Sequence, residues 1–258
     1  RRAVLRQRDV EARGGFDKAG VTIIGCANMT ERIAVILPAF NEEAALPGVL
    51  AEVAAVGAAQ IIVVNNGSSD GTAEVARRGG AEVVSEPRRG YGQACLAGMA
   101  ALQREISIVV FMDADGSDDP AEMARLVGPI ERGEAEMVLG SRVLGEREAG
   151  SLTMQQRFGN WLATRLMRFM FGSRYTDLGP FRAIRRDALE RLGMRDTNYG
   201  WTIEMQIKAH RMGIRVMEMP VKYRRRRGGQ SKISGTLRGS VGAGVKILAT
   251  IARYGFER

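Results

Sequence analysis

The chain has 258 residues and a formal charge of +9, with 45% hydrophobic and 26% charged residues. That apolar fraction excludes a disordered polyelectrolyte, and the length holds one large α/β domain or at most two small ones. No apolar run approaches the roughly 20 residues that cross a bilayer, no signal peptide is visible, and Cys26 and Cys95 lack the spacing of a zinc site or disulfide framework.

Residues 1–28 are basic and weakly patterned and read as a tail of no assignable role; MTERIAVILPAF reads as a natural start at Met29. Short apolar runs then alternate with helical patterns. IAVIL (Ile33–Leu37), IIVVN (Ile61–Asn65), AEVV (Ala81–Val84), ISIVVFMD (Ile106–Asp113) and EMVLG (Glu136–Gly140) are expected strands. Their continuous rather than alternating apolarity fits strands covered on both faces of a mostly parallel sheet. Residues Glu42–Val56, Gly71–Arg78, Gly92–Gln103 and Pro120–Glu131 supply crossover helices between them. The expectation is a doubly wound α/β arrangement through about Arg142, with helices on both faces.

Ligands of such sheets bind beyond the carboxyl ends of the strands. PAFNEE (Pro38–Glu43), NNGSSDGT (Asn65–Thr72) and DADGSDD (Asp113–Asp119) all follow strands. Each also has an ordinary reading as turn or helix-cap chemistry. Three on one sheet edge favour a site. Asp118 and Asp119 precede Pro120, a favoured first helical residue, so capping accounts for them. Asp113 and Asp115 are not explained that way. In an extended backbone both point to one side, where a hard divalent cation with substrate phosphates would stabilise the pair.

With these motifs and a following GSR (Gly140–Arg142), the chain resembles the family 2 glycosyltransferases of the GT-A fold, and within them the polyprenyl-phosphate sugar transferases. The similarity runs from about Ile33 to Lys232 and includes TDLGPFRAIRR, YGWTIEMQ and RGGQSK. It implies a GT-A domain over residues 29–235 with a C-terminal acceptor-side region, while the residues at 236–258 themselves read as a C-terminal amphipathic helix. It implies a metal-dependent, inverting transfer of a hexose from a UDP- or GDP-sugar to a polyprenyl phosphate, with Mg²⁺ or Mn²⁺ as cofactor. Two alternatives stand beside it: transfer to a soluble hydroxyl acceptor, and a nucleotide-sugar-binding protein with lost catalysis. Pro38, Phe40 and Glu42 would face the nucleotide, with Asn66 beside the base or ribose. Asp113, Ala114 and Asp115 would span diphosphate and metal, Asp113 and Asp115 being the ligands. Arg142 would approach the donor sugar or phosphates, and Arg226 and Lys232 would clamp a phosphate. Asp115, Asp177 and Arg226 are the expected catalytic set, while Glu204 would pair with Arg182 or another buried arginine. The resemblance usually brings Asp-Asp where this chain has Asn65-Asn66, which leaves nucleotide identity open.

LTMQQRFGNWLATRLMRFMFG (Leu152–Gly172) spaces Met154, Phe158, Trp161, Leu162, Leu166 and Phe169 helically, with Arg157, Arg165 and Arg168 beside them. It fits an interfacial helix on a membrane surface or a core helix over the sheet edge. Gly235–Tyr254 is a second such segment. If MPVKYRRRR is a strand, Arg224 and Arg226 share one side and Arg225 and Arg227 the other. No nucleic-acid motif accompanies the run, so anionic lipid is the expected partner of its outer face. Together these features suggest a cytoplasmic protein, peripheral on the cytoplasmic face of a membrane.

Overall fold

The computed structural model describes residues 33–228 and 237–256. Seven strands form one sheet in the order β3-β2-β1-β4-β6-β5-β7. They are β1 (Ile33–Ala39), β2 (Gln60–Asn65), β3 (Glu82–Ser85), β4 (Ile108–Phe111), β5 (Met137–Ser141), β6 (Arg182–Arg185) and β7 (Val216–Pro220). Strands β3, β2, β1 and β4 run parallel, as do β5 and β7; β6 alone is antiparallel, wedged between β4 and β5. This is the mixed α/β sheet of the GT-A fold.

The helices are α1 (Leu46–Ala55), α2 (Thr72–Arg78), α3 (Tyr91–Ala100), α4 (Met123–Glu131), α5 (Met154–Phe171), α6 (Arg186–Leu192), α7 (Trp201–Arg211) and α8 (Leu237–Phe256). Strand alternation decides which cover which face. Ile33, Val35, Leu37 and Ala39 of β1 join the core against α1, α2 and α4. Ala34 and Ile36 point the other way, into the core built with α3, α6 and α7. Burial on both sides explains the unbroken apolar runs, each buried aliphatic contributing ~1.5–3 kcal/mol. A third cluster joins Ala163 and Met167 of α5, Ile203 and Ile207 of α7, and Ile251 and Tyr254 of α8.

Several local expectations are revised. Helix α1 starts at Leu46 rather than Glu42, because Glu42–Ala45 is spent on a turn ahead of Pro47. Strand β4 ends at Phe111, so Asp113 and Asp115 are not neighbours on extended chain; the backbone turns at Ala114–Asp115. The basic run is no strand either, since β7 stops at Pro220. Helix α5 is closed at its start by a Thr153–Gln156 capping box and at its end by left-handed Gly172. Among the described residues no helix is long and apolar enough to cross a membrane.

Candidate active site

The strand order reverses between β1 and β4, and the crevice at such a switch point is where open α/β sheets bind ligands. The loops after β1 and β2 lock each other there. Asn41 sits in the left-handed region (φ 55°), and its side-chain oxygen accepts the Ser69 N–H at 2.8 Å. The Glu42 N–H donates to Thr72 Oγ1 at 2.9 Å, and the Glu43 carboxylate accepts the Gly71 N–H at 2.9 Å. Pro38 lies one residue before the end of β1, in register with Val64, and Glu42 is delivered, buried, to the crevice.

Asn66 is committed to the backbone. Its amide donates to the carbonyls of Glu86 (2.9 Å) and Arg88 (2.7 Å), and its oxygen accepts the Gly90 N–H (2.8 Å). These three partners fix the β3–α3 loop, which in turn holds the Arg89 guanidinium 3.9 Å over the Phe40 ring. A carboxylate cannot donate, which gives the departure from Asp a structural reason. Asn66→Asp sets a negative charge against two carbonyls and is expected to lower stability by ~1–3 kcal/mol in urea unfolding; an unchanged midpoint would show that the loop holds without the amide.

The acidic cluster follows β4. Asp119 caps the Pro120–Glu122 turn through the Ala121 N–H at 3.0 Å, as read from the sequence. Asp118 does not. Its fully buried carboxylate turns back to accept the Asp113 N–H at 3.0 Å, and its other oxygen has no hydrogen-bond partner. Asp115 Oδ1 takes the Ser117 N–H (2.9 Å) and hydroxyl (2.5 Å). Among the described residues the Asp113 carboxylate makes no hydrogen bond or ion pair. Burial, then the charges of Asp115 and Asp118, hold the Asp113 carboxyl well above the ordinary range. Burial does the same for Asp118, to about 7, although the Asp113 N–H opposes it.

The cationic answer comes from Tyr223–Arg227, which runs beside the cluster with the Arg224 N–H on Ser117 O (2.8 Å) and the Arg227 N–H on Asp115 O (2.9 Å). Gly116 lies under it at φ 77°, and a Cβ there would meet the Arg227 side chain at 2.8 Å. The expected side-sharing does not occur. Arg224 and Arg227 converge on Glu52, with Arg224 also on the capping Asp119 at 2.7 Å, Arg225 reaches Ala149 O, and Arg226 is the one that reaches Asp115 in the crevice. Arg226 binds Glu42 at 2.8 Å and Asp115 at 3.1 Å. Lys232 lies outside the described residues.

Arg142 and Asp177 form a buried two-pronged ion pair, Nε and Nη2 meeting the two carboxylate oxygens at 2.8 and 2.7 Å. Burial works against both charges, yet each partner outweighs it, holding Asp177 below and Arg142 above its ordinary value. The turn Thr176–Gly179 that carries Asp177 is gripped by Glu218 of β7 through Thr176 N–H (2.9 Å), by Gln206 of α7 through Asp177 O (2.9 Å), and by Asn160 of α5. Glu204 pairs with Lys208 and the Tyr254 hydroxyl, each at 2.7 Å, rather than with Arg182, and so fastens α8 to α7.

Hard oxygen ligands thus gather at one sheet edge: a carboxylate without partners, a buried carboxylate oxygen without one, and Asp115 held by a guanidinium. A divalent cation fits this donor set. Among the described residues no group of three or more His, Cys, Asp or Glu side chains forms a ready metal cage.

Comparison with known proteins places the chain in a family. An uncharacterised glycosyltransferase of Mycobacterium tuberculosis is 40% identical over 218 residues, 82% of this chain and 94% of its own. The undecaprenyl-phosphate mannosyltransferase of Micrococcus luteus is 30% identical over 235 residues, covering 86% and 96%. Among solved structures, glucosyl-3-phosphoglycerate synthase of M. tuberculosis, in complex with Mn²⁺, UDP-glucose and phosphoglyceric acid, superposes with a TM-score of 0.70 at 26% identity, covering 87% and 80%. The glycosyl transferase family 2 profile matches residues 34–193, the span that holds β1 through β6 and every acid of the crevice, and the chain belongs to that family.

Proposed function

We propose that this glycosyltransferase moves a hexose, with inversion and with a divalent cation, from a nucleoside diphosphate sugar to a polyprenyl phosphate. The observation that carries the donor half is the Asp113–Asp115–Asp118 cluster with Arg226 across it. Asp113 and Asp115 would hold Mg²⁺ or Mn²⁺, which when bound would offset charge on the diphosphate as it departs. Arg226, released from Asp115, would neutralise the same developing charge, and Arg142, fixed by Asp177, would lie beside the sugar or its phosphates. Phe40 and the Asn66-pinned loop would receive the base.

An oxygen of the acceptor phosphate attacks the sugar C1 while the C1–O bond to the diphosphate breaks on the opposite side. A phosphate is already ionised near neutral pH, so no general base is required. That agrees with Asp177, whose oxygens are taken by Arg142 and whose carboxyl is held low. Asp177 is therefore read as the anchor of Arg142 rather than as a proton acceptor.

The acceptor half rests on α5. Phe158, Trp161 and Phe169 are 62%, 54% and 89% exposed, and Arg157, Arg165 and Arg168 are exposed beside them. This favours the interfacial reading over the core one: apolar side chains for the acyl region, guanidiniums for lipid phosphates. Removing Phe158 and Trp161 together (both to Ser) is expected to cut co-sedimentation with anionic vesicles at least tenfold, since each aromatic contributes ~1.5–3 kcal/mol when buried. The relative in complex with phosphoglyceric acid keeps a soluble acceptor as the second reading. A panel of labelled UDP- and GDP-hexoses offered with polyprenyl phosphate separates them, because lipid transfer carries label into organic solvent. Label found only in the aqueous phase would sink the lipid acceptor.

A further inference from the structure

We infer that Asn160 is a positioning residue for the Arg142–Asp177 pair and the link through which the seat of α5 reaches the crevice. The side chain brackets Asp177 on both sides: Nδ2 donates to Thr176 O at 3.0 Å and Oδ1 accepts the Leu178 N–H at 2.9 Å. The two bonds imitate a neighbouring strand and fix the amide orientation, because only this way round do donor and acceptor match. What they hold is the peptide unit from which Asp177 reaches the Arg142 N–H, Nε and Nη2. Rotation of this unit would move the guanidinium.

Asn160 stands in sequence between Phe158 and Trp161, two of the aromatics that α5 exposes. Of the 18 residues of α5, only Ala163 and Met167 are buried. A helix anchored by so little apolar surface belongs to the less stable part of a fold, so its position responds to whatever covers its outer face. The remaining hold on the turn comes from β5, β6, β7 and α7, through Ser141, Arg182, Glu218 and Gln206, and none of these elements carries an exposed aromatic face. Asn160 is therefore the side chain by which a docked α5 would steady Arg142. The steering of the pair stands on the hydrogen bonds alone, whereas the coupling to a surface rests on the membrane-facing reading of α5 given above.

Two measurements on Asn160→Ala separate these parts. The first is proton exchange of the Arg142 side-chain Nε–H, assigned by its loss in Arg142→Lys and followed by ¹H–¹⁵N spectroscopy without lipid or donor. Exchange at least tenfold faster than in the wild type, with the melting temperature within 2 °C, is expected. Unchanged exchange, or exchange that rises only as the melting temperature falls in step, overturns the positioning role. The second compares turnover with and without vesicles of anionic phospholipid, using a water-soluble short-chain polyprenyl phosphate acceptor. The wild type is expected to be stimulated, while Asn160→Ala binds the vesicles equally well and is not; equal stimulation of both overturns the coupling. Failure of the wild type to bind vesicles counts instead against the membrane reading and leaves the exchange result standing. Asn160→Asp, which keeps the acceptor and loses the donor, is expected to fall between the two in exchange.

Discussion

Mn²⁺ is expected to raise the melting temperature of the wild-type protein strongly at pH 8 and only slightly at pH 5.5, and Asp113→Asn is expected to abolish most of the rise. The prediction follows from linkage. Asp113 and Asp118 titrate above the ordinary carboxylate range in the fold, so between about pH 4 and about pH 7 the folded state binds more protons than the unfolded chain. Their contribution to stability is present below that window and lost as pH rises through it, since ionisation leaves buried like charges facing one another. A cation favours the ionised forms and restores what the rise in pH removes. At about a thousandfold over Kd the gain is ~4 kcal/mol, or on the order of 10 °C for a chain of this size. The same substitution is expected to lower transfer at least ~10³-fold, because the cation's share of charge stabilisation amounts to several kcal/mol. Equal Mn²⁺ shifts at the two pH values, or an undiminished shift in Asp113→Asn, measured with and without UDP or GDP, would remove the cluster as the cation site.

The sheet was legible because its signal is local. Runs such as IAVIL and IIVVN declare strands buried on both faces, and PAFNEE and DADGSDD mark the edge where a ligand belongs. What escaped depends on contacts made at a distance. Strand β6 was hidden because Arg182 opens it with a charge; the side chain is buried, donating to Thr202 O at 3.2 Å and to Gly179 O. Asp118 beside Asp119 looks like a second cap, and only the tight turn after β4 sends its carboxylate back to Asp113. Which of four consecutive arginines enters the crevice was not recoverable by alternation either, because Pro220 ends β7 before the run begins. Arg226 finds Glu42 across 184 positions of sequence. Asn160 carried a faint signal, a lone amide between aromatics in FGNW, but its partners at Thr176 and Leu178 become visible only once α5 folds back over the turn.

Asp177→Ala is expected to be the most destabilising single change at the site, by ~3–5 kcal/mol in urea unfolding, because it strands the Arg142 guanidinium, only 14% exposed, without its counter-charge. The cost is expected to lie in the abandoned charge rather than in the lost attraction. Replacing both members by apolar groups of similar volume, Arg142→Met with Asp177→Leu, should therefore recover most of the stability, since the desolvation of two ions is then avoided. Transfer should not recover with it, because the double variant has no guanidinium to set beside the donor. A double variant as unstable as Asp177→Ala would assign the loss to the turn itself, which Glu218, Gln206 and Asn160 hold by its backbone. A double variant that is both stable and active would show that Arg142 serves only the fold. Stability regained with activity still absent is the outcome that identifies a buried ion pair kept for its chemistry, at a position where an apolar core would be no less stable.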